Sequence, residues 1–299
     1  MGLACCDCEA FCQSGDNQPG DKRTRLLDLN TIAAFDVPRS RNDLTRWQDG
    51  DAWLAGGTWL FSEPQAHLRR LIDLAGLGWP PLGVSHAGLE IAATCTIAEL
   101  DAAVLPASWR AATLIGQCCR ALLASFKIWN TATVGGNICL ALPAGAMTSL
   151  TAALDGIGTI WTQDGGERRL PIVDLVTGAN TNALLAGEIL RSIHLPAEAL
   201  MRRTAFRQIS LTRHGRSGAL LIGTLAPDGV FTLTVTASTP RPIPFRFDAI
   251  PPAAALADAI ERTIPPASYY DDMHGRPDWR RHVTLLYAEE ICAELAGVP

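Results

Sequence analysis

Charge is scarce in this 299-residue chain. Only 18% of its residues are Asp, Glu, Lys or Arg, and they leave a formal net charge of -5. Without a basic cluster the chain lacks the electrostatic footprint of a nucleic-acid-binding protein. Long uncharged apolar runs are missing too. The stretch "ATLIGQCCRALLASFKIW" is interrupted by Arg120 and Lys127, which predicts a buried helix rather than a membrane span. The first residues, "MGLACCDCEAFCQSGDNQPGDKRTR", show neither a basic segment nor an apolar one, so the expected location is the cytoplasm. His67, His86, His194, His214, His274 and His282 are scattered without HxH or HExxH spacing, and no metal site is expected. No G-x-S-x-G marks a nucleophile. Neither G-x-G-x-x-G nor G-x-x-x-x-G-K-[ST] occurs. No catalytic residue is assigned.

What the chain does have is apolar content: 48% hydrophobic residues, enough for a sizeable core divided over two or three domains. Of nine cysteines, Cys95, Cys118, Cys119, Cys139 and Cys292 sit in apolar contexts and read as buried thiols. Cys5, Cys6, Cys8 and Cys12 crowd the N-terminus. Their spacing matches no zinc or iron–sulfur pattern, and with the polar stretch after them residues 1–25 are expected to form a flexible tail. Eight tryptophans stand against three tyrosines; Trp47, Trp53, Trp59 and Trp79 fall close together and serve a core or a subunit contact.

The periodicity predicts an α+β chain. "RLLDLN" reads as a short strand and is followed by a polar helical stretch to about Gln48. "AWLAGGTWL" is a strand running into a glycine turn, and "HLRRLIDLAGL" is amphipathic. "LEIAATCTIAEL" begins β-like and turns helical at Ile97. "TLIGQCCRALLASF" and "TSLTAALDG" read as helices. "GTIWTQDGGERRLPIVDLV" is a hairpin around Asp164-Gly165-Gly166, and "GEILRSIHLP" is a strand closed by Pro196. After residues 196–202 the texture changes. Two or three strands with an Asp228-Gly229 turn are followed by two helices, "AAALADAIERTI" and "PDWRRHVTLLYAEEICAEL". The "DWRR" of the last helix reads as a surface ion-pair face.

Two double-glycine stretches stand out, "LAGGTWLFS" and "TATVGGNICLALPAG". Glycine permits close backbone approach and positive φ. Successive amides can then form a nest for an anion such as a pyrophosphate, with Thr58, Thr133 and Asn137 as further donors. Each pair can equally be a tight turn, and the residues alone leave both open.

These two stretches resemble the FAD-binding loops of the flavoprotein (medium) subunit of the molybdenum hydroxylases, the xanthine dehydrogenase and carbon monoxide dehydrogenase family. "LEIAATCTIAEL", "ERRLPIVDLVTG" with "GEILRSIHLP", "AFRQISLTRHGRSGALL" and "DDMHGRPDWRRHVTLLYAEEI" are similar to its other motifs, so that the likeness runs from about Arg25 to the end. The resemblance implies a two-lobed FAD-binding domain of PCMH type over residues 26–198, then an α+β domain of the CO dehydrogenase flavoprotein type over 199–299. FAD would be held by Ala55, Gly56, Gly57, Thr58, Trp59 and Leu60 of the first loop and by Thr133, Val134, Gly135, Gly136 and Asn137 of the second. Leu190 and Arg207 would lie near the isoalloxazine, where a cation stabilises an anionic reduced flavin.

The implied role is electron transfer from 2Fe–2S clusters on a small subunit, fed by a large molybdopterin subunit, within a dimer of heterotrimers. The chain itself has no ferredoxin-type cysteine spacing. It departs from the family at Trp129, where an Arg is usual, and at Pro143-Ala144-Gly145-Ala146, which carries no carboxylate. Gly215-Arg216-Ser217 stands where a Gly-Asp-aromatic is common. Two other readings remain beside this one: a free-standing FAD oxidoreductase of the vanillyl-alcohol-oxidase type, and a flavin-free scaffold with the same fold.

Overall fold

The computed structural model describes residues 29–44 and 46–297; the N-terminal cysteines and most of the strand expected over "RLLDLN" lie outside the described residues. The first lobe is a three-stranded parallel sheet of β1 (Ala34–Asp36), β2 (Asp51–Leu54) and β3 (Arg70–Asp73), in the order β1-β3-β2. The polar stretch before Gln48, expected to be helical, holds β1 and one short 3-10 turn at Arg41–Asp43. The central strand is fastened electrostatically. Arg70 on β3 donates through Nε to Asp51 Oδ1 of β2 at 2.8 Å and through Nη1 to Asp36 Oδ2 of β1 at 3.1 Å. A charged residue can therefore stand inside a sheet, in a segment that the sequence shows only as amphipathic.

The second lobe follows in chain order: β4 (Leu82–Ser85), β5 (Gly88–Ala92), α1 (Ile97–Asp101), α2 (Ala112–Ala121), α3 (Phe126–Trp129), α4 (Val134–Leu140), α5 (Ala146–Ala153), β6 (Ile157–Trp161), β7 (Glu167–Pro171), α6 (Ile172–Leu175), β8 (Val176–Gly178), β9 (Thr181–Asn182), β10 (Ile189–Pro196) and α7 (Ala197–Leu200). Its main sheet is antiparallel, with strand order β4-β5-β10-β6-β7. The switch at Ile97 is a capping box. Thr96 Oγ1 accepts the Glu99 amide, and the Glu99 carboxylate accepts the Thr96 amide, which satisfies two otherwise orphaned donors.

The C-terminal part has a four-stranded antiparallel sheet, β11 (Arg203–Ile209), β12 (Ala219–Leu225), β13 (Phe231–Thr236) and β14 (Ile243–Phe247), with α8 (Ala253–Thr263) and α9 (Pro277–Ala296). β12 is buried on both faces. Leu220 and Ile222 join the core built on α2 and α5, while Ala219 and Leu221 join the core under α8 and α9. Two polar contacts also tie the lobes together. The hydroxyls of Ser149 on α5 and Thr236 on β13 lie 2.7 Å apart, and the Ala237 amide donates to Pro143 O at 2.9 Å. Among the described residues no helix is long and apolar enough to cross a membrane.

The last helix departs from the expected ion-pair face. Arg276 and Arg281 pair at the surface with Asp278 and Glu261. Arg280 instead is only 1% exposed and donates to the carbonyls of Gly275, Gly218 and Ala237 and to Asp272. A buried guanidinium is tolerated because its donors are met by fixed acceptors.

Candidate functional site

The first glycine loop leaves the C-terminal end of β2, the edge of a parallel sheet where ligands gather because the strand ends diverge. Its two glycines do different things. Gly56 lies so close to the second loop that a Cβ there would stand 1.9 Å from Thr131 O; only glycine permits the contact. Gly57 adopts φ +66° and lies under the ring of Phe61. Downstream, the turn is closed by Phe61 donating to Gly57 O and Ser62 donating to Trp59 O, both at 2.9 Å. The amides of Gly56, Gly57, Thr58, Trp59 and Leu60 donate to no acceptor among the described residues. This row of half-buried N–H groups is the unsatisfied feature of the loop.

The second loop is built in the opposite way. Thr133 is the N-cap of α4, its Oγ1 accepting the Gly136 amide at 3.0 Å. Val134 donates to Cys95 O, Gly135 to Ala93 O and Asn137 to Thr133 O. Every amide of the first helical turn thus has a protein partner. Gly135 is needed for packing, since a Cβ would stand 2.4 Å from that of Ala93, and neither Gly135 nor Gly136 has positive φ. Gly136 is exposed, and a Cβ there would meet only Thr133 Oγ1. Asn137 Oδ1 accepts the Met147 amide at 3.0 Å, which caps α5 and leaves the Asn137 NH2 as the available donor. The second loop presents a bare backbone surface and one side-chain donor; the first presents amides.

Ala55, Gly56, Gly57, Thr58, Trp59 and Leu60 are therefore brought against the 131–137 segment at Gly56. Leu190 shares the buried core with Val134 and Ile138 of α4, and Arg207 is held by the last helix. Leu190 is buried on β10, its Cδ1 packed toward Gly158 of β6. Arg207 on β11 donates to Glu290 and Glu294 of α9 at 2.6 and 2.7 Å. Burial draws its pKa down, but these two carboxylates more than offset that and hold it above its usual value.

One residue reaches the first loop that the candidate list above omits. Arg216, on the loop between β11 and β12, lies with its guanidinium 5.7 Å from the centre of the Trp59 ring. The visible signal was its position in the Gly215-Arg216-Ser217 departure. Of the other tryptophans, Trp47 packs at a tilt on Trp53 within the first lobe, Trp53 donates across to Glu188 O of the second lobe at 3.1 Å, and Trp79 meets Trp161 edge-on within the second lobe.

Burial raises the thiols of Cys95 and Cys119 to about 12 and that of Cys292 to about 11, which removes them as nucleophiles near neutral pH. Clefts of about 400 Å³ between α8 and α9 and about 410 Å³ between α1 and α2 open elsewhere; neither glycine loop lines them.

Comparison with known proteins bears on this geometry. The family profile described as "FAD binding domain in molybdopterin dehydrogenase" matches residues 38–198, more than half of the chain. No curated protein matches the sequence. Among solved structures, the fold is similar to a chain of quinoline 2-oxidoreductase from Pseudomonas putida 86 (TM-score 0.74, 18% identity, 89% of this chain and 98% of that one). It is also similar to chains of carbon monoxide dehydrogenase from Hydrogenophaga pseudoflava (TM-score 0.72, 18% identity, 87% and 96%) and of reconstituted CO dehydrogenase from Oligotropha carboxidovorans (TM-score 0.73, 19% identity, 88% and 98%).

Proposed function

The chain belongs to the family of FAD-binding domains in molybdopterin dehydrogenases, its cofactor is FAD, and on that premise we propose that it is the flavoprotein electron-transfer subunit of a molybdenum hydroxylase complex. The observation that carries the proposal is the junction of the two glycine loops. A row of unpaired amides at residues 56–60 abuts, through Gly56, a second loop whose Gly136 exposes bare backbone. That arrangement fits an extended dinucleotide, with the diphosphate on the amides and the second loop as the wall that permits its close approach. The Asn137 NH2, oriented by the bond from Met147 to its Oδ1, would donate to the same ligand.

Bound FAD supplies the redox chemistry that no side chain here provides. The protein binds and orients it, with Thr58 and Trp59 contributing side chains beside the amides. No His or Cys stands in the first loop, and Cys139 is half-buried within α4, so FAD is held without a covalent bond. These 299 residues carry no ferredoxin-type cysteine spacing; in this reading the 2Fe–2S clusters and the molybdopterin are carried by small and large subunits. Electrons from a substrate oxidised on the large subunit would cross the clusters to this FAD and leave to an external acceptor. The assembly is a cytoplasmic heterotrimer, in line with the xanthine dehydrogenase type.

The test is purification of the tagged chain from its own cells, followed by analysis of flavin, iron and molybdenum in one chromatographic peak. FAD at one per chain, released by acid and accompanied by iron and molybdenum, is the expected result. A yellow chain eluting without either metal would point to a free-standing flavoprotein, and a colourless chain to a scaffold.

A further inference from the structure

A diphosphate carries negative charge that amides meet only with partial charges, and a guanidinium beside it adds charge-assisted hydrogen bonds. Neither loop has one of its own. No Lys or Arg occurs between Arg46 and Arg69, nor between Lys127 and Arg168, the two intervals that contain the glycine loops. A cation for the site must therefore come from another part of the fold. Arg216 is presented there by the β11–β12 loop, resting on Trp59 of the first loop.

Two further features single it out. Arg216 makes no ion pair with any carboxylate among the described residues, unlike Arg207 and Arg280 on the same domain. Its loop is also braced: Gly218 donates to Ile209 O at 2.8 Å, Gln208 donates to Ser217 Oγ at 2.8 Å, and the Gly218 carbonyl accepts from the buried Arg280 at 2.7 Å. The chain thus places a cation where the resembling family commonly carries an acid.

We infer that Arg216 supplies the positive charge for the FAD diphosphate lying on the 56–60 amides, bridging the C-terminal domain to the first lobe when the cofactor binds. The inference rests on the functional reading above and adds a binding residue to it. Because Arg216 is exposed, its attraction is screened by salt.

The experiment is a fluorescence titration of FAD into the full-length apoprotein at several NaCl concentrations, for the wild type, Arg216→Met, Arg216→Lys and Arg213→Ala. Methionine keeps an alkyl stem against Trp59 and removes the charge; melting curves establish that each variant is folded. Arg216→Met is expected to bind FAD about three- to tenfold more weakly at low salt, with the gap closing toward about 1 M salt. Lysine should restore most of the affinity, and Arg213→Ala, which removes a cation of the same loop other than the one over Trp59, should change it less. Arg216→Met binding FAD within about twofold of the wild type at low salt would overturn the inference. So would a loss of equal factor at every salt concentration, which would assign the effect to packing on Trp59. A wild-type chain that binds no FAD at all would remove the functional reading itself, and this inference with it.

Discussion

At the scale of single residues the four loop glycines are not equivalent, and their substitutions separate accordingly. Gly56→Ala puts a methyl 1.9 Å from Thr131 O, a backbone atom that cannot rotate away, so the two loops must part. It should weaken FAD binding by more than tenfold and also lower the melting temperature. Gly136→Ala meets only the Thr133 hydroxyl at 2.8 Å, which a rotamer change relieves, so its cost to the fold should stay near 1 kcal/mol, about the value of one N-cap. Parallel melting curves and FAD titrations on the two variants check this contrast.

A second residue-level prediction concerns acid. Asp51 is buried, and hydrogen bonds from Arg70 hold its carboxyl below the usual carboxylate range. Because the folded-state pKa is the lower one, the stabilisation is complete above the unfolded value near 4 and disappears as pH falls through the folded value. Asp51→Asn should therefore cost about 1–3 kcal/mol at neutral pH and progressively less below pH 4, read from denaturant unfolding across pH. A cost independent of pH would contradict the assignment.

At the scale of elements, packing of α9 on the C-terminal sheet depends on a gap in β12. A Cβ on Gly223 would stand 2.2 Å from Ile291 Cγ2, and Gly223→Val should destabilise by about 1–3 kcal/mol through overpacking, measured by equilibrium unfolding with FAD bound and without. Elements with local signals were legible in the sequence. The switch to helix at Ile97, the Asp164-Gly165-Gly166 turn, the strand closed by Pro196 and the last helix each lie within one short window. The first lobe was legible only at β2, read as the strand that runs into the glycine turn. Its strands have three or four residues, too short for alternation to show. Arg70, which made the segment look amphipathic, is neutralised by Asp36 and Asp51 from strands distant in sequence. The edge strand β14 was hidden by Pro244, which an edge position tolerates.

At the scale of the whole molecule the C-terminal sheet is a shared layer, with α2 and α5 on one face and α8 and α9 on the other. Arg280 stands at its end and joins Gly218, Ala237 and Asp272. Arg280→Met leaves buried carbonyls without donors and should cost about 2–4 kcal/mol, while loosening the loop that carries Arg216; slower FAD association in stopped flow should accompany the lower stability. The glycine motifs were visible in the sequence as a pair. Which of the two offers free amides was not, because that depends on Ala93 and Cys95 taking up the amides of the second loop.

That difference supplies the most direct test. Amide hydrogen exchange of the full chain, with and without FAD, should show the 56–60 amides exchanging fast in the apoprotein and strongly slowed by the cofactor. Residues 134–137 should be protected in both states, because their amides already have protein partners. Unchanged exchange at 56–60, or protection that arises only at 134–137 when FAD is added, would contradict the account.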